Sequence, residues 1–405
     1  MIEILLAPSP TTDIDALLDA VASAPAAAPF DERRVAFVVA LSRAILLNRR
    51  FREFPELMAA AHWFREVNLR ELRATLGNGG VFVRRGVVFH IAPSNVDSVF
   101  VYSWLLSFLC GNASIVRVSR RRTPQMQAFY AAVAELLASD EFRAIASANL
   151  VVSYDHDAAL TARLSERCHL RVVWGGDATI ATIRAVPLPA LATELAFANR
   201  FSLAALSARA VLDLDAPGLA ALAQGFYVDA FWFNQQACSS PRALVWIGTP
   251  DDVAAARERF WPALSGEIAA RGTENVAGQV MDRATTLFRL AHARRVASAQ
   301  TAIGALPTRL RVDVLDADDR ANHDGNGIFL ELERPALADV SPLLTSRDQT
   351  IAHFGFLRDE WLALLPTLPP HAADRIVPVG QALAFGAIWD GVDLLRAFTR
   401  QIDLR

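Results

Sequence analysis

Val87-Val88-Phe89-His90-Ile91-Ala92-Pro93-Ser94-Asn95 opens the region that decides the fold. Val87 to Ala92 reads as one buried strand, and Pro93 to Ser98 as the loop that ends it. Val99 to Cys110 follows as an apolar helix. It is shorter than the roughly 20 residues a bilayer span requires, so it reads as a core helix. Ser114 to Val118 is then a strand, and Pro124 to Leu137 a helix with proline in its first turn. Leu150 to Ser153 and Leu170 to Trp174 are further strands, separated by a helix around Ala158 to Arg167. Alternating strand and helix predicts a parallel sheet covered on both faces, hence an α/β fold.

Upstream, residues 12 to 76 read as helices. Thr12 is the expected cap of the first, with Ile14, Leu17, Leu18 and Val21 on one face. Val35 to Leu47 and Phe54 to Leu76 carry similar patterns, ended by Gly77-Asn78-Gly79-Gly80. Downstream of Pro187-Leu188-Pro189 a second α/β unit runs from about Phe201 to Ile247. Helices are expected at Asp251 to Ala270 and Val276 to Ala293. Strands are expected around Leu310 to Val314, Ile328 to Leu332 and Thr350 to Phe354, with a closing helix from Val392 to Arg400. Trp389-Asp390-Gly391 reads as its cap, and His323-Asp324-Gly325-Asn326-Gly327 as a turn without metal-ligand spacing.

The 405 residues are 53% hydrophobic, ample for a large core, and carry a net charge of −3. That balance gives no electrostatic case for nucleic acid or an anionic membrane. Three Cys with no paired spacing argue against a disulfide framework or a zinc site. The amino terminus has no basic leader pattern, so a cytoplasmic protein is expected. All 40 basic residues are Arg. Schiff-base chemistry and a Walker-type lysine are therefore excluded, and a thiol is the best covalent nucleophile left.

Asn234-Gln235-Gln236-Ala237-Cys238-Ser239-Ser240-Pro241 supplies that thiol. Small neighbours leave room above the sulfur for a planar carbonyl, and nearby backbone N–H groups can face the developing oxyanion. A buried structural cysteine is the plain alternative for any such residue. This octapeptide resembles the catalytic-cysteine signature of bacterial acyl-CoA reductases of the LuxC type, a branch of the aldehyde dehydrogenase superfamily. Matching segments run from about Gly86 to the C-terminus.

The resemblance implies a Rossmann-type cofactor domain over 81–200, with 1–80 as a helical lead-in packed on it. It further implies a catalytic domain over 201–390 carrying Cys238, a cleft between the two for the nicotinamide, and a C-terminal helix over 391–405. It makes Cys238 the nucleophile and Asn95 an oxyanion donor; His90 reads as a sheet residue. Arg117, Ser119 and Arg120 stand where the superfamily has Lys-Pro-Ser-Glu holding the adenosine ribose. Arg in place of that Glu suits a 2′-phosphate, so Arg120-Arg121-Arg122 points to NADPH, with NADH the alternative. Trp174, Gly175 and Gly176 match a phosphate-approaching turn. Arg347-Asp348-Gln349-Thr350 resembles a family stretch but is given no role.

Oxidising relatives carry a water-activating Glu. The matching stretch here, Phe197-Ala198-Asn199-Arg200-Phe201-Ser202, has no carboxylate, and Glu194 lies out of register. The expected activity is therefore reduction of a fatty acyl-CoA, or of an acyl thioester relayed by a partner protein, to an aldehyde. A homo-oligomer without a membrane span is expected. Two alternatives stay open: a cysteine acyltransferase or thioesterase, and a non-catalytic acyl-binding homologue.

Overall fold

The computed structural model describes residues 2–77, 80–93, 99–272, 276–293, 298–300 and 306–405. The chain forms two compact units, one of residues 1–198 with 392–405 and one of 199–391.

The first unit is built on a six-stranded sheet. Its spatial order is Glu3–Leu6, Asn149–Ser153, Ala113–Val118, Val87–Ile91, Leu170–Trp174 and Thr193–Phe197. All neighbours are parallel except the Glu3–Leu6 edge, which runs antiparallel to Asn149–Ser153. Val87–Ile91 is buried throughout, as a strand covered on both faces must be. From it the chain steps outward through two strands, then crosses to Leu170–Trp174 on the other side. That reversal creates a crevice at the carboxyl ends of the two central strands, where open α/β sheets hold ligands.

The Val99–Leu109 helix has nine buried residues, so it needs cover on every side. Part of that cover is the Glu32–Leu47 helix, whose Arg34 is 1% exposed. Arg34 Nη1 donates to the carbonyls of Phe108 (2.8 Å) and Asn112 (2.6 Å), closing the helix end with a cation. Burial pushes the Arg34 pKa down to about 10, still cationic at neutral pH. Gly111 turns the chain there at φ +90°, and a Cβ would lie 2.4 Å from the Ala27 carbonyl oxygen. Asn112 accepts from the N–H groups of Arg85 (2.8 Å) and Gly86 (3.0 Å) and donates to Phe398 O (2.8 Å). The Gly-Asn pair thus fixes the entry to the central strand.

The second unit carries seven strands in the order Ser298–Gln300, Thr308–Arg311, Ile328–Arg334, Ala243–Ile247, Phe201–Ser207, Asp348–Phe354 and Arg375–Pro378. Only the first pairing is antiparallel. Alternate side chains feed opposite cores. Phe201, Leu203, Ala243, Val245 and Leu330 enter one, and Ala204, Leu206, Leu244, Trp246 and Phe329 the other. Both sheets match the expected α/β class.

Three local expectations are corrected. Asp13, not Thr12, caps the Ile14–Ala22 helix, accepting from Asp15 N at 3.1 Å; an ionised carboxylate directly before the first turn is the better acceptor. The closing helix is only Leu394–Ala397, capped by Asp393 rather than Asp390. Its expected remainder pairs as a strand, Thr399–Ile402, antiparallel to Val81–Arg84, because that unpaired segment offers backbone partners.

Candidate active site

Cys238 lies between the Ala216–Phe231 helix and the Ala243–Ile247 strand, at the amino edge of the second sheet. Asn234 and Gln235 take left-handed backbone angles, φ 49° and 59°, which turn the chain sharply out of the helix. Buried Gln235 clamps the turn. Its Nε2 donates to the carbonyls of Pro241 and Ile328, both at 2.9 Å, and its Oε1 accepts from Gly327 N at 2.7 Å. Asn234 Nδ2 donates to Asn326 Oδ1 (2.8 Å) and Gln236 Nε2 to Asp324 O (2.9 Å). The 323–327 turn is therefore a brace for the cysteine loop.

Ser202 Oγ donates to the Cys238 carbonyl at 2.7 Å and accepts from Thr350 N at 3.2 Å, tying three segments together. Cys238 is half-buried as a residue, and its sulfur accepts from Gln349 Nε2 at 3.4 Å. The same Nε2 donates to Asp390 Oδ1. Burial pushes the Cys238 thiol above its ordinary pKa, and the Asp390 charge adds to this. The Gln349 donor, Arg242 and Arg375 act in the opposite direction. Burial likewise raises the Asp390 carboxyl. The other two thiols, Cys110 and Cys168, are buried, and burial pushes Cys168 up to about 12.

Each residue of Arg347-Asp348-Gln349-Thr350 has work in this region. Arg347 Nη1 donates to Asn199 O at 3.2 Å, and buried Asp348 pairs with Arg320 at 2.8 Å. Gln349 meets the sulfur, and Thr350 binds Ser202.

In the first unit, the Gly175-Gly176 turn sits at the carboxyl end of Leu170–Trp174, on the crevice. A Cβ at Gly176 would meet nothing within 4 Å, so open space lies over the start of the Asp177–Arg184 helix. The Trp174 ring is buried and stacked 4.0 Å from Phe197, and its indole Nε1 has no partner among the described residues. A shallow recess opens beside the Ala113–Val118 strand, lined in part by Ala92, Pro93, Ser119 and Arg121. Arg117 donates to the Tyr154 carbonyl at 3.1 Å. Arg120 pairs with Asp155 at 3.1 Å, both well exposed, and Arg122 pairs with Glu3. His90 is a sheet residue: its Nδ1 lies 3.3 Å from Ser103 Oγ inside the core. Glu194 is held by Arg171 (2.6 Å) and Arg184 (2.8 Å). Asn95 falls outside the described residues.

A family model described as Acyl-CoA reductase (LuxC) matches residues 65–283, more than half of the chain. The chain belongs to this family. The matched span contains the central strand, Arg117–Arg122, Trp174–Gly176 and the whole cysteine loop. Membership places the chain among oxidoreductases acting on acyl or aldehyde groups. A search of curated proteins returned no match.

Solved structures similar to this LuxC-family chain are aldehyde dehydrogenases, and they show the fold. Aldehyde dehydrogenase 21 from Physcomitrella patens superposes with TM-score 0.70 at 12% identity, covering 96% of this chain and 89% of its own. A putative aldehyde dehydrogenase from Burkholderia cenocepacia gives 0.68 at 16%, covering 99% and 95%. An NAD-dependent benzaldehyde dehydrogenase from Corynebacterium glutamicum gives 0.67 at 16%, covering 99% and 92%. Among the described residues, no helix of this LuxC-family chain is long and apolar enough to cross a membrane.

Sequence reasoning about this family member missed Ser202, Arg242, Arg375 and Asp390. The one available signal was Asp390-Gly391, an Asx-Gly pair suited to the left-handed φ of 47° that Asp390 adopts. Asp390 matters because it brings a carboxylate beside the sulfur from outside the 197–202 stretch.

Proposed function

We propose that the chain reduces a fatty acyl thioester, from CoA or an acyl-carrying partner protein, to an aldehyde through an S-acyl-Cys238 intermediate. What carries this reading is the placement of Cys238, a half-buried residue at a loop clamped by Gln235 and Ser202, with an amide donor 3.4 Å from its sulfur. The Cys238 thiolate attacks the acyl carbonyl, a C–S bond forms, and the donor thiolate leaves with its electron pair. Addition of hydride to the acyl carbon gives a hemithioacetal oxyanion. Its collapse breaks the C–S bond, releases aldehyde and returns the electron pair to Cys238. Asn95 and the Cys238 N–H are proposed as the donors to the oxyanion in both tetrahedral species.

The first unit fits a dinucleotide: its crevice, the open face at Gly176 and the recess bordered by Ser119 and Arg121 offer room and cationic charge. A bound NADPH supplies the hydride. Trp174, Gly175 and Gly176 would border its phosphates, and Arg117, Ser119 and Arg120 its adenosine ribose. Arg120 is exposed and pairs across the surface with Asp155, so a 2′-phosphate can compete for it. The name of the benzaldehyde dehydrogenase neighbour supports a nicotinamide, and the arginines favour NADPH over NADH. We further propose a cytoplasmic homo-oligomer.

Asp390 gives the rival reading, hydrolysis of the acyl-cysteine, its structural support. One assay separates them. Protein mixed with acyl-CoA and NADPH should consume the nicotinamide absorbance and release aldehyde, and Cys238→Ala should abolish acylation and turnover while dinucleotide binding persists. Turnover by Cys238→Ala, or acyl-CoA cleavage without NADPH consumption, would overturn the reductase assignment.

A further inference from the structure

The Gln349 side chain is buried, and its amide is held at both ends. Thr350 Oγ1 donates to its Oε1 at 3.3 Å. Asp390 Oδ1 accepts one hydrogen of its Nε2, and Cys238 Sγ lies 3.4 Å from the same nitrogen. An ionised carboxylate can only accept, so Asp390 determines which end of the amide faces the sulfur. Turned the other way, the amide would set its oxygen against the carboxylate oxygen and aim a lone pair at a thiolate. The turn that delivers Asp390 is itself fixed, since a Cβ at Gly391 would lie 2.8 Å from Asp374 Oδ1.

We propose that Gln349, oriented by Asp390, stabilises the Cys238 sulfur as an anion, both when it attacks the acyl group and when it leaves the hemithioacetal. Gln349 touches the reacting atom, and Asp390 is its positioning residue. This rests on Cys238 being the nucleophile of the proposed function. An N–H aimed at sulfur favours the charged form of the thiol. It offsets burial and the Asp390 charge, the cost of using a carboxylate as the anchor. The other charged groups facing the pair are Arg242 and Arg375 at the sulfur, and Arg200, Asp374 and Arg375 at Asp390.

The test is the pH profile of Cys238 alkylation by iodoacetamide in the full chain, with background taken from Cys238→Ala. Gln349→Met keeps the shape and loses the donor. Its alkylation midpoint should rise by about one pH unit, giving about tenfold slower labelling at fixed pH below the midpoint. Asp390→Asn and Asp390→Gly form a charge-matched pair: both are neutral and both suit a φ of 47°. Only Asn keeps an acceptor oxygen for Gln349. The Gly variant should therefore show the higher midpoint, by about half a unit, which a charge effect alone cannot produce.

Equal midpoints for the two Asp390 variants, or an unmoved midpoint in Gln349→Met, would overturn the assignment. Should Gln349→Met not fold, the Asp390 pair decides. Midpoints that shift as stated, in a protein that never forms aldehyde from acyl-CoA and NADPH, would sink the reductase reading alone. Aldehyde formation with unshifted midpoints would sink only the role of Gln349.

Discussion

The Arg320 guanidinium grips the Asp348 carboxylate, with Nε at 3.0 Å from Oδ1 and Nη2 at 2.8 Å from Oδ2, both side chains almost wholly buried. Arg320 also donates to the carbonyls of Leu315 (2.7 Å) and Leu343 (2.6 Å), and Asp348 accepts from Thr345 N at 2.7 Å. This pair anchors the start of the strand that presents Gln349. Removing one partner strands a buried charge, which costs about 3–5 kcal/mol. Arg320→Met should lower unfolding stability by that much in urea titrations. Adding Asp348→Leu should recover part of the loss, and a double variant weaker than Arg320→Met by the full second amount would show the charges are not coupled.

Gln235 satisfies three buried backbone groups from one side chain. Gln235→Met fills the same volume and leaves the Pro241 and Ile328 carbonyls and the Gly327 N–H without it, a loss of about 2–4 kcal/mol. The cysteine loop should loosen before the sheet does. Hydrogen exchange should therefore show faster exchange in 234–242 and 325–328, with the Ala243–Ile247 strand still protected. Uniform acceleration across the second unit would contradict this.

Two buried groups give opposite pH slopes. Burial pushes the His90 pKa down to about 3, so the native state keeps it neutral while the unfolded chain gains a proton below about 6.5. Its stability contribution is present above pH 6.5 and is lost as the pH falls toward 3. Asp229 accepts from Gly380 N at 2.7 Å and Ala382 N at 2.8 Å, yet burial pushes its pKa up to about 7. A raised carboxyl pKa contributes stability that is full below about 4 and is lost as the pH rises through 7. Between pH 5 and 6.5, His90→Met should flatten the acid-side loss, and Asp229→Asn should steepen it. Each change is at most about 1.4 kcal/mol per pH unit in the urea unfolding free energy. Identical pH slopes in both variants and the wild type would refute both assignments.

The fold was legible wherever burial wrote itself as an unbroken apolar run. Ala243–Ile247 is such a run, and Val87–Ile91 and Leu170–Trp174 are broken only by His90 and Arg171; all three are buried end to end. Glu3–Leu6 and Arg375–Pro378 are short edge strands, half covered, and show no such pattern. Thr399-Arg400-Gln401-Ile402 reads as a helix end because nothing local reveals its partner; pairing with Val81–Arg84 decides it. The cysteine loop carried its own signature. Its surroundings did not, since Ser202, Gln349 and Asp390 converge from separate stretches whose meeting depends on strand order. Gln349 illustrates the difficulty: its motif was visible, but its purpose needed the sulfur beside it.

The Val81–Arg84 and Thr399–Ile402 pairing closes the first unit only after the whole of 199–391 has been made. Until that strand arrives, Asn112 and the end of the Val99–Leu109 helix lack their Phe398 neighbour. The amino-terminal unit is thus the last to be sealed, although most of it is synthesised first.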